Sequence, residues 1–202
     1  MKVLATFRRW ARGLYDWTMH WADTRWSLTA LFFISLAESS FFPIPPDVLL
    51  IAIVAANTRR WLTAALLCTA GSIVGAVVGY AIGASLMPVL GQPIVDFYGA
   101  QAHWDRVVGF YNGTWGTLFL LAAAFTPIPY KVATIAAGAT GMPMATFVIV
   151  SSIGRAGRFF LVAGLLRIFG APIRAFIEKH FDVLAVAFMV LLIGGFVVLR
   201  YV

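Results

Sequence analysis

The sequence predicts an all-α polytopic membrane protein. Three observations lead to this prediction: the chain is 61% hydrophobic and only 11% charged, its mean hydropathy is +0.90, and residues 61–95 contain no charged side chain. That uncharged run is longer than the ~20 apolar residues that a membrane-spanning helix needs. The formal net charge is +7, but the cations stand at the ends of apolar segments. We therefore expect them to set topology and to contact anionic lipid, and we expect no nucleic-acid partner.

Residues 1–25 are predicted to form an interfacial helix. The segment combines several cations with three tryptophans. Cations of such a helix meet anionic headgroups, and indole rings settle at headgroup depth. No apolar run precedes a small-residue cleavage site, so a cleaved signal peptide is not expected.

Residues 26–56 form an apolar stretch that is interrupted in the middle. The stretch lies between Arg25 and Arg59, which makes it too long for one span and too short for two spans with a turn. Proline removes a backbone donor and moves the preceding residue away from helical geometry. A re-entrant hairpin with both ends on the cytoplasmic side therefore fits this stretch best. The prolines of this first break are Pro43, Pro45 and Pro46.

Residues 61–87 are predicted to form a transmembrane helix with a glycine stripe. A stripe of small residues on one helix face lets another backbone approach closely. We interpret it as a packing surface for a hairpin of the same chain, and the alternative is a homodimer seam. The glycines recur at every fourth residue: Gly71, Gly75, Gly79 and Gly83.

Residues 114–166 repeat the plan of residues 26–87. The motif FTPIPYK at 125–131 echoes FFPIPPD at 41–47. One span separates the two hairpins, so we expect them to enter the membrane from opposite faces as an inverted repeat, a recurring transporter plan. Irregular backbone at membrane depth must be buried or line a wet cavity, so the two breaks should face one another. The prolines of the second break are Pro127 and Pro129.

Three further segments complete the predicted organisation. Residues 88–113 are a less apolar linker on the outer face, because they are poor in lysine and arginine. Residues 167–182 are an amphipathic segment on the cytoplasmic surface, and they end the membrane domain, which covers 26–182. Residues 183–202 form a short C-terminal transmembrane helix.

Charged residues also occur inside the predicted apolar elements. Each costs about 2.5–3.5 kcal/mol at a helix centre, so such residues normally face the interior and pair. We predict a polar cavity in which the bases bind an anionic headgroup, since guanidinium suits phosphate, and in which one acid exchanges protons. The alternative is that the charges only clamp the hairpins together. The acids are Glu38 and Asp47, and the bases are Lys131, Arg155 and Arg158.

The sequence contains no pattern that indicates an enzyme, a metal site or a cofactor. Cys68 is the single cysteine and lies in an apolar run, and the three histidines are far apart. A Ser/His/Asp grouping and a phosphate-binding loop are both absent from the sequence. Three functional classes stay open: a lipid flippase or scramblase, a proton- or cation-coupled antiporter of a small solute, and a structural or assembly factor.

Together these motifs resemble the DedA family, the bacterial members of the VTT-domain superfamily. The resemblance covers residues 26–166 and includes both proline breaks, the glycine-rich helix and the segment AGATGMPMATFVIVSSIGR. It indicates a divergent branch, because Ala123 or Ala124 stands where many members have an arginine. The positions of that segment that match the family pattern are Gly138, Met142, Pro143, Phe147 and Gly154.

The resemblance implies two opposed re-entrant hairpins in the bacterial cytoplasmic membrane. It also implies lipid movement across the bilayer, of phospholipid or of undecaprenyl phosphate. The acidic pair of the family corresponds to Glu38 and Asp47. The expected partners are therefore membrane lipids with anionic headgroups.

Overall fold

A computed structural model describes residues 24, 26–41, 45–126 and 129–170, and all regular structure within these residues is helical. The coarse prediction of an all-helical membrane protein is confirmed. Several predictions lie outside the described residues. These are nearly all of the interfacial helix at 1–25, most of the amphipathic segment at 167–182, the C-terminal helix at 183–202, and the prolines Pro43 and Pro127.

The described residues form eight α-helices. A 3-10 turn, Thr58–Arg60, precedes the third helix, and a π turn, Met87–Gly91, follows it. The helices are α1 Ser27–Ser40, α2 Pro46–Ala56, α3 Trp61–Leu86, α4 Gln92–Phe97, α5 Gln101–Asn112, α6 Thr114–Phe125, α7 Tyr130–Ala139 and α8 Met144–Phe169.

Two helical runs of the described chain, Thr58–Phe97 and Met144–Phe169, are long and apolar enough to cross a membrane. Helices α5 and α6 make a third span if a pair bent by 71° counts as one broken span. Helices α1 and α2 have 14 and 11 residues. At a rise of 1.5 Å per residue they reach only ~21 and ~17 Å. Neither can cross the ~30 Å hydrocarbon core alone.

Helix α3 continues into the region that the sequence predicts as a linker. Pro88 has no N–H for the carbonyl four residues earlier. The helix accommodates this residue with the π turn, in which the Gln92 N–H donates to the Met87 carbonyl. The helical run therefore extends to Phe97, and most of residues 88–113 are helical.

Prolines mark the starts of the helices that follow the two breaks. Pro45 is extended, and Pro46 is the first residue of α2. Pro129 is also extended, and α7 begins at Tyr130. Proline suits these places because its fixed φ fits the first helical turn and its missing donor is not needed there. Each break therefore separates two short helices, α1 from α2 and α6 from α7.

Each long helix packs against short helices from both breaks. Helix α3 packs against α1 and α7, helix α8 packs against α6 and α2, and α3 and α8 pack against each other. One apolar cluster joins Cys68 near the start of α3 to Phe159 late in α8. A second joins Ala76 of α3 to Phe147 near the start of α8. The two long helices therefore run antiparallel.

The glycine stripe of α3 lies against the backbone of two short helices of the same chain. A Cβ atom at any of the four positions would collide with an atom of α1 or α7. The chain's own helices thus occupy the face that a homodimer seam would use. The facing residues are Phe32 for Gly71, Leu36 for Gly75, Thr134 for Gly79 and Ile135 for Gly83.

Replacing Gly75 with alanine is expected to destabilise the protein by about 1–3 kcal/mol, the usual cost of overpacking. The added Cβ would lie 2.8 Å from the carbonyl carbon of Leu36, which is backbone and cannot rotate away. Gly164→Ala in α8 is the control, because a Cβ there meets nothing within 4 Å. The measurement is the thermal unfolding midpoint in detergent. Equal midpoints for the two variants would contradict the close contact between α1 and α3.

Candidate functional site

A layer of polar side chains separates the two apolar clusters. Along α8, Arg155 stands between Phe147 and Phe159, which belong to different clusters. Ser72 occupies the corresponding place in α3. Both residues lie near the middle of 26-residue helices.

Arg155 is buried, with 3% of its side chain exposed. Its Nη2 donates to Glu38 Oε2 at 2.7 Å and to Ser39 Oγ at 3.3 Å. Its Nε donates to Ser72 Oγ at 2.5 Å. These partners belong to α1 and α3, so one guanidinium joins both helices to α8.

Two aromatic rings cover the guanidinium of Arg155. Its Cζ lies 4.7 Å from the ring centroid of Tyr130 and 4.7 Å from that of Phe159. A cation over an aromatic face gains about 0.5–2 kcal/mol, and the larger values apply when the cation is desolvated. The rings and the hydrogen bonds together leave Arg155 little freedom to turn toward a ligand.

A second ion pair joins Arg158 of α8 to Asp47 of α2 and is more open. Arg158 Nη2 donates to Asp47 Oδ2 at 2.8 Å and Nε donates to Oδ1 at 3.2 Å. The two side chains are 18% and 20% exposed. The two parallel bonds are the forked arrangement that arginine makes with carboxylates and phosphates.

Arg158 also connects the two proline breaks. Its Nη1 donates to the Thr126 carbonyl at 2.7 Å, and Thr126 is the C-cap of α6, just before the second break. Asp47 lies in the first turn of α2, just after the first break. Helix dipoles favour an anion at the start of α2 and a cation at the end of α6, so both contacts have favourable polarity.

Lys131 differs from the two arginines because it forms no ion pair with a described acid. It is partly buried in the first turn of α7, where the helix dipole disfavours a cation. In the repeated motif it takes the place of Asp47. The five predicted site residues thus comprise three bases and two acids, and together they carry a formal surplus of one positive charge.

The uncharged members of the layer were not predicted from the sequence. Ser39 follows Glu38 directly, and Ser72 follows Gly71 in the glycine stripe. A hydroxyl among small residues on a membrane helix was therefore an available signal. Thr126 contributes its backbone carbonyl, which no side-chain pattern reveals.

The described residues contain no group of three or more His, Cys, Asp or Glu that could hold a metal ion. Cys68 is buried beside Ser35, whose hydroxyl donates to the Cys68 carbonyl at 2.7 Å. His103 is exposed on α5. The charged groups of the described layer are guanidinium groups and carboxylates, which pair with one another.

The fold and this layer define a helical membrane protein whose charges pair between helices. The profile of the VTT domain matches residues 44–168. The chain therefore belongs to the VTT-domain family, which is the DedA/SNARE-associated family of membrane proteins. The match includes both partners of the Asp47–Arg158 pair, and it starts after Glu38.

Proteins similar to this chain come from Haemophilus influenzae, Histophilus somni and Methanocaldococcus jannaschii.

 A protein of Haemophilus influenzae is 35% identical over 200 residues, which cover 99% of this chain and 100% of the relative. A protein of Histophilus somni is 32% identical over 200 residues, with the same coverage of 99% and 100%. The Methanocaldococcus jannaschii protein is 26% identical over 135 residues, 65% of this chain and 79% of the relative. All three are named as uncharacterized proteins, and no solved structure matches the chain at a significant level.

Replacing Arg155 with methionine is expected to destabilise the protein strongly, because Glu38 would keep a buried charge without its partner. Breaking a buried pair costs about 3–5 kcal/mol, whereas replacing both partners with neutral groups is often close to neutral. The double variant Glu38→Gln/Arg155→Met should therefore be more stable than Arg155→Met alone. The coupling free energy between Glu38 and Arg155 is measured from the thermal unfolding midpoints of four proteins: the unmodified chain, Glu38→Gln, Arg155→Met and the double variant.

A double-mutant cycle with Asp47→Asn, Arg158→Met and their combination is expected to give a smaller coupling free energy than the cycle at Glu38 and Arg155. Both side chains of this pair are partly exposed, at 18% and 20%, whereas in the other pair Glu38 is 17% exposed and Arg155 only 3%. Solvent screening therefore weakens the Asp47–Arg158 pair more. Strictly additive effects in the Glu38–Arg155 cycle would show that these two side chains do not interact.

Proposed function

We propose that the protein moves a phosphate-bearing lipid across the membrane, as a flippase or scramblase, through a polar groove between the two proline breaks. The observation that supports this proposal is the charged layer, which brings two acids and two arginines together, while Lys131 forms no ion pair with a described acid. Charges at this depth cost about 2.5–3.5 kcal/mol each, so they usually mark a transport pathway. Members of the family are generally proposed to be transporters, which supports the same class of function.

The contacts between helices support two re-entrant hairpins in an inverted repeat. In this interpretation α1, α2 and α3 correspond to α6, α7 and α8. Helix α3 packs on the first helix of its own half and the second helix of the other half, and α8 does the same. The two long helices are also antiparallel, as inverted halves require. We therefore place both breaks near the midplane, as in the broken helices of secondary transporters.

The two ion pairs have different roles in this proposal. Glu38–Arg155 holds the halves together, because its arginine is enclosed by hydrogen bonds and aromatic rings. Asp47–Arg158 is the pair that opens to the substrate, because about a fifth of each side chain is exposed. A lipid phosphate can replace the Asp47 carboxylate on Arg158, since the guanidinium fork suits both anions. The released carboxylate can then take up a proton, and Lys131 provides the second cation for the phosphate.

The sign of the charge surplus favours an anionic substrate over a cation. Both acids of the described layer already bond to arginines, so neither is free to bind a cation. Among the described residues Lys131 is the site base that forms no ion pair, and its positive charge attracts phosphate. A lipid also suits the setting, because its acyl chains can stay in the bilayer while only the headgroup enters the groove.

Lys131→Ala is expected to slow the movement of an anionic phospholipid by about tenfold or more, since a hydrogen bond to a charged group contributes ~1.5–3 kcal/mol. The fold should be retained, because Lys131 has no ion pair to lose among the described residues. The measurement is leaflet-resolved transport of labelled phosphatidylglycerol in proteoliposomes. Lys131→Arg should keep most of the activity, because it keeps the charge.

Arg106→Ala is the matched control, since it removes one exposed cation from α5, outside the layer. Its transport rate should equal that of the unmodified protein. Transport by the unmodified protein at the rate of empty liposomes would reject the proposal, and solute exchange driven by a pH gradient would then favour an antiporter. Full transport by the variant Glu38→Gln/Asp47→Asn would show that the ion pairs serve only to hold the fold.

A further inference from the structure

A groove of about 430 Å³ lies between α6 and α8. Its volume falls within the ~300–1,000 Å³ range of small-molecule sites. Thr126 is its single residue with a polar side chain among seven apolar or glycine residues. The lining residues are Leu118, Leu121, Ala122, Phe125, Thr126, Ile153, Gly154 and Gly157.

Two glycines of α8 determine the shape of this groove. At Gly154 the two helices touch, because an added Cβ would lie 2.6 Å from the Cβ of Ala124. At Gly157 the nearest atoms to an added Cβ belong to the Phe125 ring, at 3.4 and 3.5 Å. The groove therefore has room beside Gly157, where a longer side chain would fill it without meeting backbone.

The groove ends at the charged layer. Thr126 lines it, and the carbonyl of the same residue accepts a hydrogen bond from Arg158 at 2.7 Å. Arg158 is partly exposed and carries the more open ion pair. An apolar groove with a cation near one end suits an amphiphile that has a hydrocarbon tail and an anionic head.

We infer that this groove holds one acyl chain of an anionic lipid, with the lipid phosphate at the end formed by Thr126 and Arg158. The inference rests on the proposed function. It adds a binding site for the acyl chain, the part of the lipid that the charged layer does not contact. The acyl chain gains little from the hydrophobic effect, because it leaves a bilayer that is equally apolar. The groove therefore orients the lipid so that its phosphate lies beside Arg158, and the charge contact supplies the preference for anionic lipid.

The test uses phosphatidylglycerol with a photoreactive diazirine in one acyl chain, diluted into phosphatidylcholine vesicles that contain the full-length protein. Crosslinks mapped by mass spectrometry should concentrate on residues 118–126 and 153–157. Gly157→Leu should lower this labelling by about fivefold, which corresponds to ~1 kcal/mol. Diacylglycerol with the same diazirine chain should label the groove less than phosphatidylglycerol does, because it has no phosphate for Arg158.

Gly164→Leu is the matched control, because it places the same side chain two turns further along α8, where an added Cβ meets nothing within 4 Å. It should leave groove labelling unchanged. Ala122→Leu fills the groove from α6 at an exposed position and should act like Gly157→Leu. This second variant tests the inference even if Gly157→Leu fails to fold.

Unchanged labelling in a folded Gly157→Leu or Ala122→Leu protein would overturn the inference. Equal labelling of the exposed residues Leu66 and Val74 on α3 would also overturn it, since it would show only the surrounding lipid. Lipid transport that depends on Lys131 but is normal in both groove variants would reject the acyl-chain site in the groove and would still support the proposed function. Groove-specific labelling without any lipid transport would support the groove and reject the proposed function.

Discussion

A charge at the middle of a membrane helix must be neutralised by other helices, and in this protein the rest of the structure depends on how Arg155 is neutralised. Its hydrogen bonds reach Glu38 and Ser39 on α1 and Ser72 on α3, and the ring of Tyr130 on α7 covers it. Four helices are therefore positioned around one guanidinium. An uncompensated buried charge costs several kcal/mol, so an arrangement that separates these helices is strongly disfavoured.

The glycine stripe makes this neutralisation sterically feasible. Hydrocarbon offers no hydrophobic force between helices, so close packing and polar contacts must hold them together. Without side chains at Gly75 and Gly83, the backbones of α1 and α7 lie directly against α3. The same approach brings Thr134 of α7 to α1, where its hydroxyl donates to the Ser39 carbonyl at 3.3 Å. Packing and charge pairing therefore depend on each other.

The two arginines of the ion pairs differ in exposure. Arg155 is 3% exposed and lies among hydrogen-bond partners and two aromatic rings, whereas Arg158 is 18% exposed and bonds to residues beside both breaks. Proline breaks produce helix ends, and the dipoles of those ends favour Asp47 and Arg158 where they stand. In the proposed function, Arg158 and Lys131 supply the positive charge that attracts a lipid phosphate.

The sequence by itself determined the class of protein, the places of the breaks and the identity of the charged residues. Hydropathy, the missing N–H of proline and the cost of a buried charge are local properties, so they can be read from residues in order. Only the tertiary structure decided that Glu38 meets Arg155, 117 positions away, that Asp47 meets Arg158, and that Lys131 meets no described acid. It also decided that the glycine stripe faces the chain's own helices and that α3 continues through Pro88. These outcomes depend on how distant helices approach one another, and local sequence properties do not specify that approach.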